Sequence, residues 1–460
     1  MSVFLLIPIL VGGVGLFLLI KLRAFFLLHP IKCLKDMARA IRRSSNLSSF
    51  TLALSGTLGV GNIIGVASAI IIGGAGSLFW LLASALFSSV IKYSEAALTH
   101  GGRGMQDVIK TSFGRAGAFF SQLYMLLCIP LAFSMGASLQ AKSISGALCD
   151  SLETSPIVVL LLVLIFAIPL MSGNSEKSRN VSAKLVPFAT IVYISLCFAV
   201  IFVNFERLPE TFLNIISSAF SLRSVGGGAL GFAMLVALKE GFSCGILSNE
   251  AGAGTSSFAH ALLTDTTPRE SGLFGVAEVF FDTVLICPLT GLAILSSPTD
   301  PTAYTSAMRL VSDAFASSLG APVRVILAVA VFVFAISTVL CWYYYGALAF
   351  GSLSRHSLPF SICFLLSLTI GIFSSDTLVI ILSDVCLLLM SLPTLAAIIK
   401  SSDRLIVLSE LDRYKSTKRK KRIKAVLFSI SVLPKALISR LRSRPRASTR
   451  SQARSHRPHE

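Results

Sequence analysis

The chain has 460 residues, 54% of them hydrophobic and only 13% charged, with a mean hydropathy of +0.80. Those values exclude a soluble multidomain protein and place it among polytopic membrane proteins. The net charge of +18 sits largely at one end, where 17 of the 40 Lys and Arg fall from Ser401 onward against four acids.

Eleven membrane-length apolar segments can be drawn, at about 3–21, 51–73, 76–98, 116–148, 156–172, 182–203, 225–248, 271–296, 322–351, 357–374 and 376–400. The first has no basic residue ahead of it and no small-residue cleavage site behind it, which marks a retained helix and not a signal peptide. Ile31 to Asn46 then sets Lys32, Lys35, Arg39, Arg42 and Arg43 between apolar residues, as an interfacial amphipathic helix does. This basic stretch predicts a cytoplasmic loop and an N-terminus outside. Alternation puts Lys110 and Arg115, then Lys177, Arg179 and Lys184, in later cytoplasmic loops and returns the C-terminal tail to the cytoplasm. The stretch from Glu250 to Gly272 dissents, with Glu250, Asp265 and Glu270 against Arg269, but acids weigh little in that rule. The run Lys418 to Arg422 follows a membrane segment and reads as a cytoplasmic tail that can touch anionic headgroups of membrane lipids, not as a nucleic-acid site. From about Arg440 the tail is rich in Arg, Ser and Pro and reads as partly disordered. Nine scattered cysteines read as small hydrophobes, and the six histidines show no metal-ligand spacing.

Two segments are interrupted by small and polar residues. Segment two carries Ser55-Gly56-Thr57-Leu58-Gly59-Val60-Gly61-Asn62, and segment seven runs from Gly241 through Ser248-Asn249-Glu250-Ala251-Gly252-Ala253-Gly254. Backbone inside a bilayer must satisfy its own hydrogen bonds, so such stretches predict deliberate breaks lining a binding site. With the first segment set aside, ten remain as two blocks of five, each opened by a break. An odd number per block inverts the second block relative to the first. The expected organisation is an N-terminal helix and amphipathic segment (1–50), two five-helix repeats (51–203 and 225–400) and a basic tail (401–460).

At the first break, Gly59 and Gly61 can take backbone angles that other residues avoid, and an unwound turn presents amides to a carboxylate. The carbonyls of Gly59 and Val60 suit a desolvated Na⁺, and Asn62 in mid-membrane needs a polar partner. Ser248 and Asn249 stand opposite; Asn249 either bonds a solute or ties the two breaks together. Glu250 reads as a cap on nearby backbone. Asp282 and Asp384, as acids inside spans, are functional candidates or helix–helix bonds.

These stretches resemble the alanine or glycine:cation symporter family, with the leucine-transporter type of fold. The resemblance rests on Gly59 to Ala67, Gly73 to Trp80, Lys92-Tyr93-Ser94-Glu95, Ser248 to Gly254, Asp282-Thr283, Ser337-Thr338 and Trp342 to Gly346, and it covers about 50 to 400. It implies an all-α protein that moves a small neutral amino acid with Na⁺ as coupling ion, without a chemical step. It further implies that Ser337 and Thr338 complete the Na⁺ site, that Gln140 contacts substrate, and that Trp342 walls the substrate on one side. Lys142, Cys244 and Thr394 depart from the family pattern of Asn, Arg and Asn, which bears on substrate range. The alternatives are a cation-coupled carrier of another small solute and a non-transporting membrane sensor.

Overall fold

The computed structural model describes residues 2–23, 28, 30–43, 47–102, 104–171, 175–220, 228–263, 266–354 and 358–415. Expectations that rest on Asp265 and on the tail beyond 415 lie outside the described residues. The compact body is Met1–Ser409.

All regular structure among the described residues is helical, and each of the eleven expected segments is a helix or a broken pair of helices. Span one is Ser2–Lys21, and span two divides into Leu47–Thr57 and Ile64–Gly73. Span three is Ser77–Thr99; span four runs Gly117–Leu131, Ala132–Ser138 and Leu139–Leu152. Spans five, six and seven are Pro156–Met171, Ser175–Val203 and Gly228–Asn249. Span eight runs Pro268–Val279, Phe280–Ile286 and Cys287–Ser296. Spans nine to eleven are Val323–Gly351, Leu358–Phe373 and Asp376–Lys400. Among the described residues, six helices are long and apolar enough to cross a bilayer unaided. The pair Phe50–Thr57 and Val60–Gly73, bent by 49°, makes a seventh.

The amphipathic helix expected after span one is present as Pro30–Arg43. It is pinned to span eight by Asp36, whose Oδ2 lies 3.0 Å from Arg269 Nη2. Arg269 can make this contact because span eight starts sharply there. Thr267 accepts from Glu270 N, Glu270 accepts from Thr267 N, and Pro268 takes the first helical position. Further helices lie outside the expected segments, among them Leu208–Ala219 and Ala307–Leu319. Both are too short and too mixed in polarity to register as spans.

Glycine sets how closely the central helices approach. A Cβ on Gly241 would fall 2.1 Å from Ser77 O, and one on Gly245 would fall 2.0 Å from Ser84 Oγ. On span eight, a Cβ on Gly272 would fall 2.6 Å from the Tyr93 ring and one on Gly275 2.5 Å from Lys92 O. Spans seven and eight therefore both press their backbones onto span three, the close packing that small residues permit in membranes. This corrects the expected start of the second break. Span seven is continuous from Gly228 to Asn249, so Gly241 and Gly245 are packing glycines inside an intact helix.

Spans four and eight each contain a seven-residue π-helical stretch, Ala132–Ser138 and Phe280–Ile286. Wide turns of this kind re-aim side chains and recur at functional sites. Both of these lie next to the site described below.

Candidate functional site

The first break forms, although neither Gly59 nor Gly61 takes a left-handed angle; what demands glycine at 59 is the close approach of span nine. The helix stops at Thr57, Gly59 is extended (φ −116°, ψ −165°), a single 3₁₀ turn covers Val60–Asn62, and the helix resumes at Ile64. A side chain at Gly59 would place its Cβ 2.9 Å from Thr338 Oγ1 and 3.6 Å from Gln140 Oε1. The broken turn thus passes directly against spans nine and four. Thr338 Oγ1 is 3.0 Å from Ser55 O and 3.0 Å from Phe334 O, bridging from its own helix to the first half of span two. Ser337 donates only to Val333 O, 2.8 Å away. The sequence treated the two hydroxyls as equals; among the bonds present, only Thr338 makes one to the break.

The second break lies at Glu250–Ser256. Glu250 (φ +55°), Gly252 (φ +96°) and Gly254 (φ +71°) are left-handed, a conformation glycine adopts at little cost and glutamate does not. The amides this turn exposes are not left for a ligand. Glu95 Oε1 accepts from both Gly252 N (2.8 Å) and Gly254 N (3.1 Å), an anion held in a backbone nest. Asn249 is engaged at both ends of its amide: Nδ2 donates to Thr283 Oγ1 (3.0 Å), and Oδ1 accepts from Ala251 N (3.0 Å). These bonds fix the second turn to itself and to span eight; neither reaches the first break.

Around this turn lies a charge network that the sequence only hinted at. Lys92 Nζ donates to Ser256 Oγ (3.0 Å) and stands 3.7 Å from Glu278 Oε2. Glu278 Oε1 is 2.5 Å from His260 Nε2, and Thr255 Oγ1 donates to Glu250 Oε2 over 2.5 Å. Lys92, Glu95, Glu250, Glu278 and His260 are all essentially sealed from solvent. Intramembrane charges of this kind are normally paired and functional. Lys92 and Glu95 entered the sequence reading only as part of a motif, and Glu278 and His260 escaped it. The available signal was a charged residue interrupting an apolar span. Among the described residues, no group of three or more His, Cys, Asp or Glu is placed to hold a metal ion.

The first break meets the end of span seven at Ser248, just before the second break. Its Oγ lies 2.6 Å from Asn62 Oδ1 and 2.7 Å from Asp282 Oδ2, one hydroxyl proton between two acceptors. Thr283 also donates to Asp282 Oδ2 (2.7 Å). Asn62 Nδ2 and Asp282 Oδ1 here have no hydrogen-bond partner, nor does Gln140 Oε1 beside Gly59; Trp342 Nε1, packed against Gly136 of span four, is likewise unpartnered. Buried polar groups are rarely left so, and a polar solute or ion is what such a set can take up. A cavity of about 80 Å³ opens beside the first break, walled by Val60 and Gly61, by Leu139 and Ser143 of span four, and by Leu247 and Asp384. Gln140 and Trp342 do not wall it. Trp342 is fully buried against Gly136 and lies 5.8 Å from Tyr345, ring to ring. Gln140 is turned back so that Nε2 donates to Met135 O (3.1 Å). Lys239 and Glu240 of span seven pair with each other at 2.7 Å.

Comparison with known proteins matches residues 1–428 to a family described as the sodium:alanine symporter family. An uncharacterized transporter of Haemophilus influenzae is 28% identical over 410 residues, covering 85% of this chain and 89% of that protein. The probable sodium/glutamine symporter GlnT of Bacillus subtilis is 29% identical over 426 residues, covering 88% and 87%. The sodium/alanine symporter AgcS of Methanococcus maripaludis is 27% identical over 380 residues, covering 74% and 79%.

Proposed function

The chain belongs to the sodium:alanine symporter family, a family of transporters, and from that premise we propose that it carries a small neutral amino acid, alanine or glycine, with Na⁺ across the cytoplasmic membrane. The observation that carries this reading is the junction of the first break with the end of span seven, where Ser248 bonds Asn62 within a set of unpartnered buried polar atoms.

In this reading Na⁺ enters first, held by the carbonyls of Gly59 and Val60 and the hydroxyls of Thr338 and Ser337. Its charge and the ordering of the first break then raise the affinity for the amino acid, a reciprocal coupling of two sites. The substrate carboxylate takes the amides around Gly61 and Asn62, where the following half-helix adds its partial positive charge. Ser248 and Gln140 supply the remaining polar contacts, and Trp342 closes the site on one side. Asn249 acts one step removed, by fixing the turn that presents Ser248. The small cavity beside Gly61 favours a short side chain. One helix bundle rocks against the rest to expose the site to each side in turn. The N-terminus lies outside and the basic tail in the cytoplasm, where its lysines and arginines meet anionic headgroups. Transport involves no bond making or breaking, so the chain is not an enzyme.

The deciding experiment is uptake of radiolabelled alanine into proteoliposomes with and without an inward Na⁺ gradient, followed by competition with unlabelled glycine, serine and glutamine. Gradient-dependent accumulation, suppressed by alanine and glycine more than by glutamine, is the expected result. Absence of accumulation for every amino acid in the panel overturns the proposal.

A further inference from the structure

A second hollow, larger than the cavity beside Gly61, lies away from the end of span seven. It is a groove of about 350 Å³ between the amphipathic helix Pro30–Arg43 and spans three and eight. Leu34 and Met37 wall it from the amphipathic helix, Leu82 and Leu86 from span three, and Phe280 and Val284 from span eight. These side chains are not closed over by protein: Leu34 is 51% exposed, Phe280 42%, Leu82 39% and Val284 38%. A hollow of this size and apolarity suits a hydrophobic ligand, and water gains little from entering it. It opens at the edge of an interfacial helix, where the neighbouring molecules are lipids.

The same helix indicates which lipid. It carries Lys32, Lys35, Arg39, Arg42 and Arg43 and one acid, Asp36. That acid is already engaged, 3.0 Å from Arg269 and 3.4 Å from Arg39. Lys32, Lys35 and Arg39 are exposed. They lie on the helix face opposite the apolar stripe of Cys33, Leu34 and Met37, where long side chains reach the headgroup layer. In the proposed orientation this is the cytoplasmic leaflet, the anionic one.

The groove also touches the machinery of the second break. Phe280 and Val284 belong to the π-helical stretch Phe280–Ile286, and so do Asp282 and Thr283, which bond Ser248 and Asn249. One short segment therefore has the groove on one face and the end of span seven on the other. We propose that the groove binds an anionic phospholipid, its acyl chain filling the hollow and its headgroup met by Lys32 and Lys35, and that occupancy sets the position of Asp282 and Thr283 against the second break. The lipid site stands independently of the transport reading; its effect on uptake rests on that reading.

The test uses the full chain reconstituted from either phosphatidylglycerol or phosphatidylcholine mixed with phosphatidylethanolamine, then extracted in mild detergent and weighed by native mass spectrometry. Bound phosphatidylglycerol is expected, and the double variant Lys32→Glu, Lys35→Glu should retain at least tenfold less of it. Val284→Trp, which fills the groove, should lose lipid of either kind; wild-type elution on size exclusion shows that the variants fold. Equal retention of the two lipids, or unchanged retention in the charge variant, overturns the site. Alanine uptake should run several-fold faster in phosphatidylglycerol vesicles for wild type and equally in both for the charge variant. Uptake indifferent to the lipid, with retention intact, overturns the link to the second break. Retention without uptake in any vesicle leaves the lipid site standing and removes the transport proposal.

Discussion

The two breaks differ in who satisfies them. The first is rich in glycine, contains no charge, and is tied to other spans by the Thr338 hydroxyl at Ser55 and by the bond from Ser248 to Asn62. The second is charged, has three left-handed residues, and is filled by the protein's own groups: Glu95 takes two of its amides, Lys92 its Ser256, and Asn249 its Ala251 amide. Unpartnered buried atoms border both, Asn62 Nδ2 and Gln140 Oε1 at the first and Glu95 Oε2 and Glu250 Oε1 at the second. What sets the second apart is that Glu95 and Asn249 already take its turn amides, as a scaffold's groups do. The pair is thus a fixed jaw and a working jaw, and substitutions in each should fail in different assays.

The largest effect belongs to the scaffold. Glu95→Ala orphans the amides of Gly252 and Gly254 and removes a carboxylate from beside buried Lys92, at a cost of about 3–5 kcal/mol. Thermal unfolding of the purified protein should show a drop in melting temperature, and most of the loss should be recovered by Glu95→Gln, which keeps an acceptor for the nest. A variant that unfolds like wild type but no longer transports would reverse the assignment and make the second break the working one.

Next comes the ion side of the first break. Thr338→Ala should raise the Na⁺ concentration for half-maximal uptake about tenfold, because it removes the hydroxyl that reaches span two; hydrogen bonds to charged groups are worth about 1.5–3 kcal/mol. Ser337→Ala should shift it by about threefold or less, since that hydroxyl bonds within its own helix. The melting temperature should move little in either. Equal shifts from the two variants would restore the symmetric role the sequence suggested.

Hydropathy made the spans legible, because eleven apolar runs have few other uses. The first break was legible because its cause is local: Gly59, Gly61 and Asn62 are adjacent in sequence and sit in mid-span. The second was displaced in the reading because glycine has two uses in membranes. Gly241 and Gly245 serve helix packing, whereas Glu250, Gly252 and Gly254 make the turn, and composition does not separate them. Its partners were less visible still, since Glu95 lies about 160 positions away on another span and shares no periodicity with the turn it caps. The π-helical stretches follow from packing among spans and leave no local pattern. That is why Asp282 could be singled out by its charge but not paired with Ser248.

The smallest predicted effect is the most discriminating. A Cβ on Gly61 would meet only Ser248 Cα, at 3.8 Å, so Gly61→Ala fits without moving the backbone and should leave the melting temperature unchanged. Gly61 also walls the cavity of about 80 Å³, and the added methyl occupies space that a substrate side chain needs. A methylene in an apolar pocket is worth about 1–3 kcal/mol when fully contacted, so a partial overlap should raise the half-saturation for alanine by less than about tenfold. Glycine, with no side chain to displace, should be hardly affected, and the preference should swing toward it. Gly59→Ala is the control: its methyl would stand 2.9 Å from Thr338 Oγ1, so the loss should fall on Na⁺ and be shared by both amino acids. If Gly61→Ala weakened glycine and alanine alike, its methyl would be acting on the ion or the backbone, and the cavity would lose its claim to be the side-chain pocket.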